Sequence, residues 1–320
     1  MTIVSFFNLA AVDQPALEAD FATMGSSNGG GNTELYNTGG FTPGLPNYRD
    51  IHQNIVGDCY FLSSAAALAQ QDPHAIQKMI RDNGDGTYTV TFELHNFDAL
   101  IFPTMAPYSS VQVTVNGSDI FSQTTYIGGI DPVNGKKVIW PQVLQAAFAK
   151  LSEPSGIVPW LPDGNIGDGY AAIGKAGYSK YALQLLTGQN ASSWDPNSNA
   201  GAQQLAKLPT QFAAGKLVVI STPPASKSPR AGVENGKNPG TYDLVADHAY
   251  AVVDCWTIGG IVFVRLNNPW GSDQPTDIAL ADLPSLSNLI TVGSAVAPAA
   301  PPRTGGHFEV PRIDAPPGFI

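Results

Sequence analysis

Apolar side chains recur along this chain with periods that predict where helices and strands form. From Trp140 onward, Trp140, Val143, Leu144, Ala147, Phe148 and Leu151 follow the i, i+3, i+4, i+7 spacing of a helix with one buried face. A second helix is predicted over 57–70. Asp58 stands where an N-cap would, and Phe61, Leu62, Ala65, Ala66 and Ala69 form an apolar stripe. Residues 87–94 alternate as a strand behind the turn signal Asn83-Gly-Asp-Gly86, and 111–115 read as another. Residues 217–220 make a short apolar run of the buried-strand type. Segments 249–256 and 261–266 are apolar strands flanking Gly259-Gly260, which predicts a tight hairpin.

The first part of the chain is rich in predicted helix and the second in predicted strand. This suggests two lobes divided near residue 185, a helix-rich one over 48–185 and a β-rich one over 186–320 with a Pro-rich tail. Residues 1–47 read as an N-terminal extension carrying a Gly/Ser/Asn linker over 25–32. Its Ile3, Val4, Phe6, Phe7 and Leu9 are costly to leave in water. They are expected to dock, either on a groove where they restrain activity or on the back of the helical lobe.

Composition narrows the function classes. The chain of 320 residues is 43% hydrophobic, in the globular range, and only 13% charged. A net charge of −10 disfavours nucleic acid and polybasic membrane anchoring. No apolar run reaches the length of a membrane span, and the apolar start has no basic segment of the signal-peptide kind. The expectation is a soluble monomer acting on a protein or peptide; the compartment stays open. Two cysteines, Cys59 and Cys255, exclude a disulfide scaffold and a cysteine-based zinc cluster.

Candidate chemistry starts at the hairpin. With Gly259 and Gly260 as the turn residues, 251 faces 268 and 248 faces about 271. His248 and Asn268 then leave the hairpin at the same end. A carboxamide beside an imidazole fixes its rotamer and tautomer, as a general base requires. A buried His and a turn-forming Asn-Pro is the plainer reading of each alone. Cys59 falls in the first turn of the predicted helix, where the helix dipole favours thiolate. Gly57 would let a substrate backbone approach closely. Gln53, a short way upstream, carries an amide N–H able to donate to an oxyanion. Cys255, on an alternating strand, reads as core.

Taken together, these segments resemble the calpain family. Gln53 followed by Gly57-Asp58-Cys59 and the apolar Tyr60-Phe61-Leu62 is similar to its nucleophile segment. Asp247-His248-Ala249-Tyr250 resembles its histidine segment, and Asn267-Asn268-Pro269-Trp270-Gly271 its Asn-Pro-Trp-Gly segment. The helix from Trp140 and the run Gly167-Asp-Gly-Tyr170 resemble the family's segments between these two. The order Gln, Cys, His, Asn is also papain-like.

The resemblance covers roughly 45–275. It implies an α+β, two-lobed papain-like fold, with the Cys on a helical lobe and the His and Asn on a β-rich lobe. It implies a cysteine endopeptidase with Cys59 as nucleophile, His248 as general base and acid, Asn268 orienting the His, and Gln53 in the oxyanion hole. Trp270 would shield the His–Asn pair from water. The family's calcium position corresponds to Asp50, yet Gly169-Tyr170-Ala171-Ala172 and Ser272-Asp273-Gln274 lack the usual acids. The loop Asp163-Gly-Asn165-Ile-Gly167-Asp168 only half matches a calcium loop. The expectation is therefore an enzyme that needs no cofactor, with the metal question unresolved. Two other readings stay open. One is the same machinery acting on another acyl group, as in transglutaminases or cell-wall amidases; the other is a protease-derived binding module.

Overall fold

A computed structural model describes residues 32–39, 43–94, 110–120, 127–152, 169–224, 242 and 244–294, and the backbone of 307–309. The apolar N-terminal residues, the loop 163–168, most of the polar loop 223–242 and the Pro-rich tail lie outside the described residues.

The four longest helices of the described residues are α1 (Cys59–Gln71), α2 (Trp140–Leu151), α3 (Ser179–Thr187) and α4 (Asn199–Ala213). Both helices predicted from periodicity form, and α2 has the expected bounds. Neither has the polar face that an amphipathic surface helix shows. In α1 every residue from Tyr60 to Ala69 is buried, and in α2 all but Lys150 are. A helix apolar or small on all sides belongs inside a protein. The serines and glutamines that interrupt these helices are therefore buried polar groups that need partners.

Strands of the described residues form three sheets. A two-stranded pair joins β1 (Thr33–Glu34) in parallel with β5 (Lys137–Val138). A four-stranded sheet, order β12-β4-β3-β2, contains β2 (Ile80–Asp82), β3 (Tyr88–Glu93), β4 (Ser110–Val115) and β12 (His307–Glu309). The main sheet, order β10-β9-β8-β7-β11-β6, contains β6 (Ser192–Trp194), β7 (Lys216–Ser221), β8 (Ala249–Ile258), β9 (Ile261–Asn267), β10 (Ile278–Ala279) and β11 (Leu289–Ser294). The mixture of helices and largely antiparallel sheets is the α+β, papain-like class expected.

The centre of the main sheet is buried on both faces, while the tip of the β8–β9 hairpin is exposed. On one face, Leu217 and Val219 of β7 and Ala249, Ala251 and Val253 of β8 join a core built around α1 and α2. On the other, Val218, Ile220, Tyr250 and Val252 pack with Leu205 and Leu208 of α4. This explains why the β7 segment is a continuous apolar run rather than an alternating one. The β8–β9 hairpin forms at Gly259-Gly260, with Ile258 opposite Ile261 and Asp254 opposite Arg265. A bulge between Val252 and Asp254 then shifts the register. Ala251 pairs with Asn267, not with residue 268 as uninterrupted counting gave. A bulge places two residues against one and bends the strand, which re-aims the side chains beyond it.

The first core centres on Phe148 of α2. Its ring stacks on Phe61 of α1 at 4.0 Å and meets the edges of Tyr60 and Phe92. Deleting a fully buried ring at such a junction leaves a cavity between three elements. Phe148→Ala should cost about 3–5 kcal/mol in denaturant unfolding. A loss below about 1 kcal/mol would show that the core collapses around the gap.

Candidate active site

Cys59 is the first residue of α1, and Asp58 is its N-cap residue. The cap is not made by a side chain, because the Asp58 carboxylate accepts no helix N–H. It turns inward, where its Oδ2 accepts from Gln145 Nε2 of α2 at 2.8 Å and its Oδ1 from Gln53 Nε2 at 3.3 Å. Gly57 is also used otherwise than the sequence suggests. A Cβ there would lie 2.4 Å from the carbonyl oxygen of Gly174, so the missing side chain admits the protein's own backbone rather than a substrate's.

His248 stands just before β8. Its backbone is clasped by Thr222: the Thr222 N–H donates to His248 O at 2.8 Å, and the His248 N–H to Thr222 Oγ1 at 3.0 Å. Asp247 before it adopts a φ of 55°, which aspartate tolerates better than most residues. Asn268 follows β9 and is fully enclosed. Its Oδ1 lies 2.9 Å from His248 Nε2 and also accepts the Trp270 N–H at 3.1 Å, while its Nδ2 donates to Asp273 O at 3.2 Å. Gln274 clamps the Asn268 backbone from both sides.

These contacts fix the chemistry of the ring. Trp270 N–H needs an acceptor and Asp273 O needs a donor, so the Asn268 amide has one orientation. Its oxygen faces His248, and His248 therefore carries its proton on Nε2 and presents Nδ1 as the basic nitrogen. Burial is the main influence on the imidazole and pushes it down to about 4, against the opposing pull of Asn268 and Asp247. At neutral pH it is an uncharged base. Tyr250 meets it edge-on at 5.0 Å, and Trp270, half-buried, lies 4.9 Å away.

Two bonds bring the distant segments together. Ser63 Oγ, one turn into α1, donates to Ala249 O at 2.8 Å, which ties the Cys59 helix to the strand opening beside His248. The Gln53 N–H donates to Pro269 O at 2.6 Å, which ties the Gln53 loop to the Asn268 loop. Gly271 secures the second contact. Its φ is +75°, and a Cβ there would stand 2.6 Å from the His52 ring.

Cys59 is half-buried, and the backbone N–H groups of Ala249 and Tyr60 favour its thiolate. Burial outweighs them, with Asp58 and Asp247 adding negative charge, and the thiol is pushed up to about 12. The expected thiolate from the helix dipole is thus overridden in the resting site. Gln53 is buried, and its Nε2 is spent on Val56 O at 2.6 Å as well as on Asp58, while its Oε1 has no partner among the described residues. Cys255 is half-buried against the second core rather than enclosed.

The family model described as calpain family cysteine protease matches residues 32–276. The chain belongs to the calpain family of cysteine proteases. It is also similar to a calpain of Caenorhabditis elegans, calpain clp-4. The two are 23% identical over 237 residues, covering 73% of this chain and 29% of the relative. The chain therefore matches less than a third of that calpain's length.

Calcium is implied by the calpain resemblance through Asp50. The Asp50 carboxylate is ringed by donors: the Asn47 N–H at 2.9 Å, the Trp140 indole N–H at 2.8 Å and the Asn37 side chain. A cation needs acceptors there. No group of three His, Cys, Asp or Glu side chains is assembled among the described residues. These residues do not fit a calcium ion; the loop 163–168 lies outside them.

Sequence reading missed Gln145, Thr222 and Gln274. Gln145 had a faint signal, since α2 carries amides rather than charges on its supposedly exposed face. The other two had none, because they act through backbone contacts across the fold. At pH near 7, nitrogen NMR should find His248 neutral and protonated on Nε2. A charged ring, or a proton on Nδ1, would contradict the Asn268 geometry.

Proposed function

We propose that this chain is a cysteine endopeptidase in which Cys59, His248 and Asn268 act as nucleophile, base and orienting group. The observation that carries the reading is the Asn268 clamp, which leaves a neutral imidazole with a basic Nδ1 beside the strand that α1 is bonded to. A purely structural His–Asn pair has no need of an amide fixed at both ends.

In the resting site the thiol and the imidazole are both uncharged. Proton transfer from Cys59 Sγ to His248 Nδ1 then accompanies attack on the peptide carbonyl. The carbonyl carbon gains the C–S bond and its oxygen takes the electron pair. The imidazolium returns its proton to the leaving amine as the C–N bond breaks. Water, deprotonated by His248, then hydrolyses the thioester. First-turn N–H groups of α1 supply positive potential for the oxyanion. Gln53 joins them by turning one Nε2 hydrogen away from Asp58, the longer of its two bonds. Trp270 covers the His–Asn pair and keeps water from competing for it. Protein or peptide chains would lie across the start of α1, beside His248.

Hydrolysis of denatured casein tests this. Cys59→Ala and His248→Ala should each abolish turnover with the fold intact, and Cys255→Ser should not. Gln53→Ala should lower kcat by about 10–1000-fold, as loss of one oxyanion donor does. A chelator should leave the rate within about twofold, given the donors around Asp50. Full activity in Cys59→Ala would end the proposal.

A further inference from the structure

Asp58 takes part in none of these steps, yet it is fully enclosed and adjoins the nucleophile. Buried carboxylates are ordinarily paired with cations. Asp58 is in none of the ion pairs among the described residues, and the groups that hold it are the neutral amides of Gln145 and Gln53. The titratable groups around it are Cys59 and Tyr60 on α1, both of which feel its charge. Across the seam stand Asp247, which acts on Cys59, and the uncharged His248. None of these neutralises it.

The two amides differ. Gln145 is anchored in the middle of α2 and donates at 2.8 Å. Gln53 lies on a loop, and its contact with Asp58, at 3.3 Å, is at the weak end of hydrogen bonding. Among the described residues Gln53 Oε1 is unpartnered, and Val56 O and Asp58 alone hold the amide plane.

We propose that Asp58 is a positioning residue that restrains the site through its charge: ionised, it retains the second Gln53 hydrogen and sets a negative charge beside Cys59, and protonated, it releases both. The neutral acid is a poorer acceptor than the carboxylate, so Gln53 is freed to face a developing oxyanion. Thiolate formation is no longer opposed by the adjacent charge. Burial raises the Asp58 carboxyl to about 7. The acid is neutral below that value and ionised above it, so the restraint grows as pH rises through neutrality. The part concerning kcat rests on the endopeptidase reading; the part concerning Cys59 reactivity does not.

The test compares wild type with Asp58→Asn, which keeps the shape and removes the charge. Alkylation of Cys59 by iodoacetamide is followed by peptide mass from about pH 5 to about pH 9, and casein hydrolysis is followed alongside. Near pH 5 the two proteins should react alike, because wild-type Asp58 is already neutral. Near pH 8 the variant should alkylate about tenfold faster, the effect of removing roughly one pKa unit of charge repulsion. Its kcat should rise in the same range with KM unchanged. A uniform change at every pH, as a structural role would give, overturns the proposal, and so do identical profiles. If Asp58→Asn does not fold, Gln145→Met takes its place. It removes a donor to the carboxylate and should move the wild-type inflection to higher pH; an unmoved inflection overturns the proposal. An intact alkylation difference with no casein cleavage by either protein supports it and removes the endopeptidase reading instead.

Discussion

The site depends on one contact between segments far apart in the chain, the docking of α1 on β8. Ser63 and Ala249 are 186 positions apart, and the bond between them holds the start of the Cys59 helix against the residue that follows His248. The helix can approach the sheet closely because its second and third turns are built of small residues: Ser63, Ser64, Ala65, Ala66, Ala67 and Ala69 are all buried. Close packing of this kind leaves no room for a side chain to be added and transmits displacement directly. Ser64 bonds back to Tyr60 O within the helix at 2.7 Å, with Ser179 O of α3 a longer second acceptor at 3.5 Å. Ser63 alone spends its hydroxyl on the sheet.

Burial then sets the electrostatics. Cys59, His248 and Asp58 lie together in a region that disfavours charge, and each is shifted toward its neutral form. A protein with few cations cannot correct this by ion pairing, so amides do the work. Asn268 holds the imidazole, and Gln53 and Gln145 hold the carboxyl. Amide partners orient without adding charge; in the proposed mechanism this leaves the thiol–imidazole pair free to ionise together when a carbonyl is attacked.

Much of this was legible in the sequence, for identifiable reasons. The α2 helix was readable to its bounds because its period is regular and Trp140-Pro141 opens it. The proximity of His248 and Asn268 followed from two glycines and the geometry of a hairpin. The register beyond Val253 did not, since a bulge leaves no mark in a run of valines. Asp58 looked like a helix cap because capping and burial use the same residue at the same place. Only the position of Gln145 on another helix separates them. A local dipole alone predicts thiolate character at Cys59, while the opposing burial comes from strands beyond residue 216 that the surrounding sequence does not place.

Covalent capture of the proposed nucleophile tests the account most directly. A thiol-directed epoxide should form one adduct at neutral pH, located by peptide mass on Cys59, with Cys255 unmodified although both thiols are half-buried. His248→Ala should lose that adduct while keeping the wild-type circular dichroism spectrum. Equal labelling of the two cysteines, or undiminished labelling of Cys59 without His248, would contradict the claim that docking α1 on β8 creates an activated cysteine.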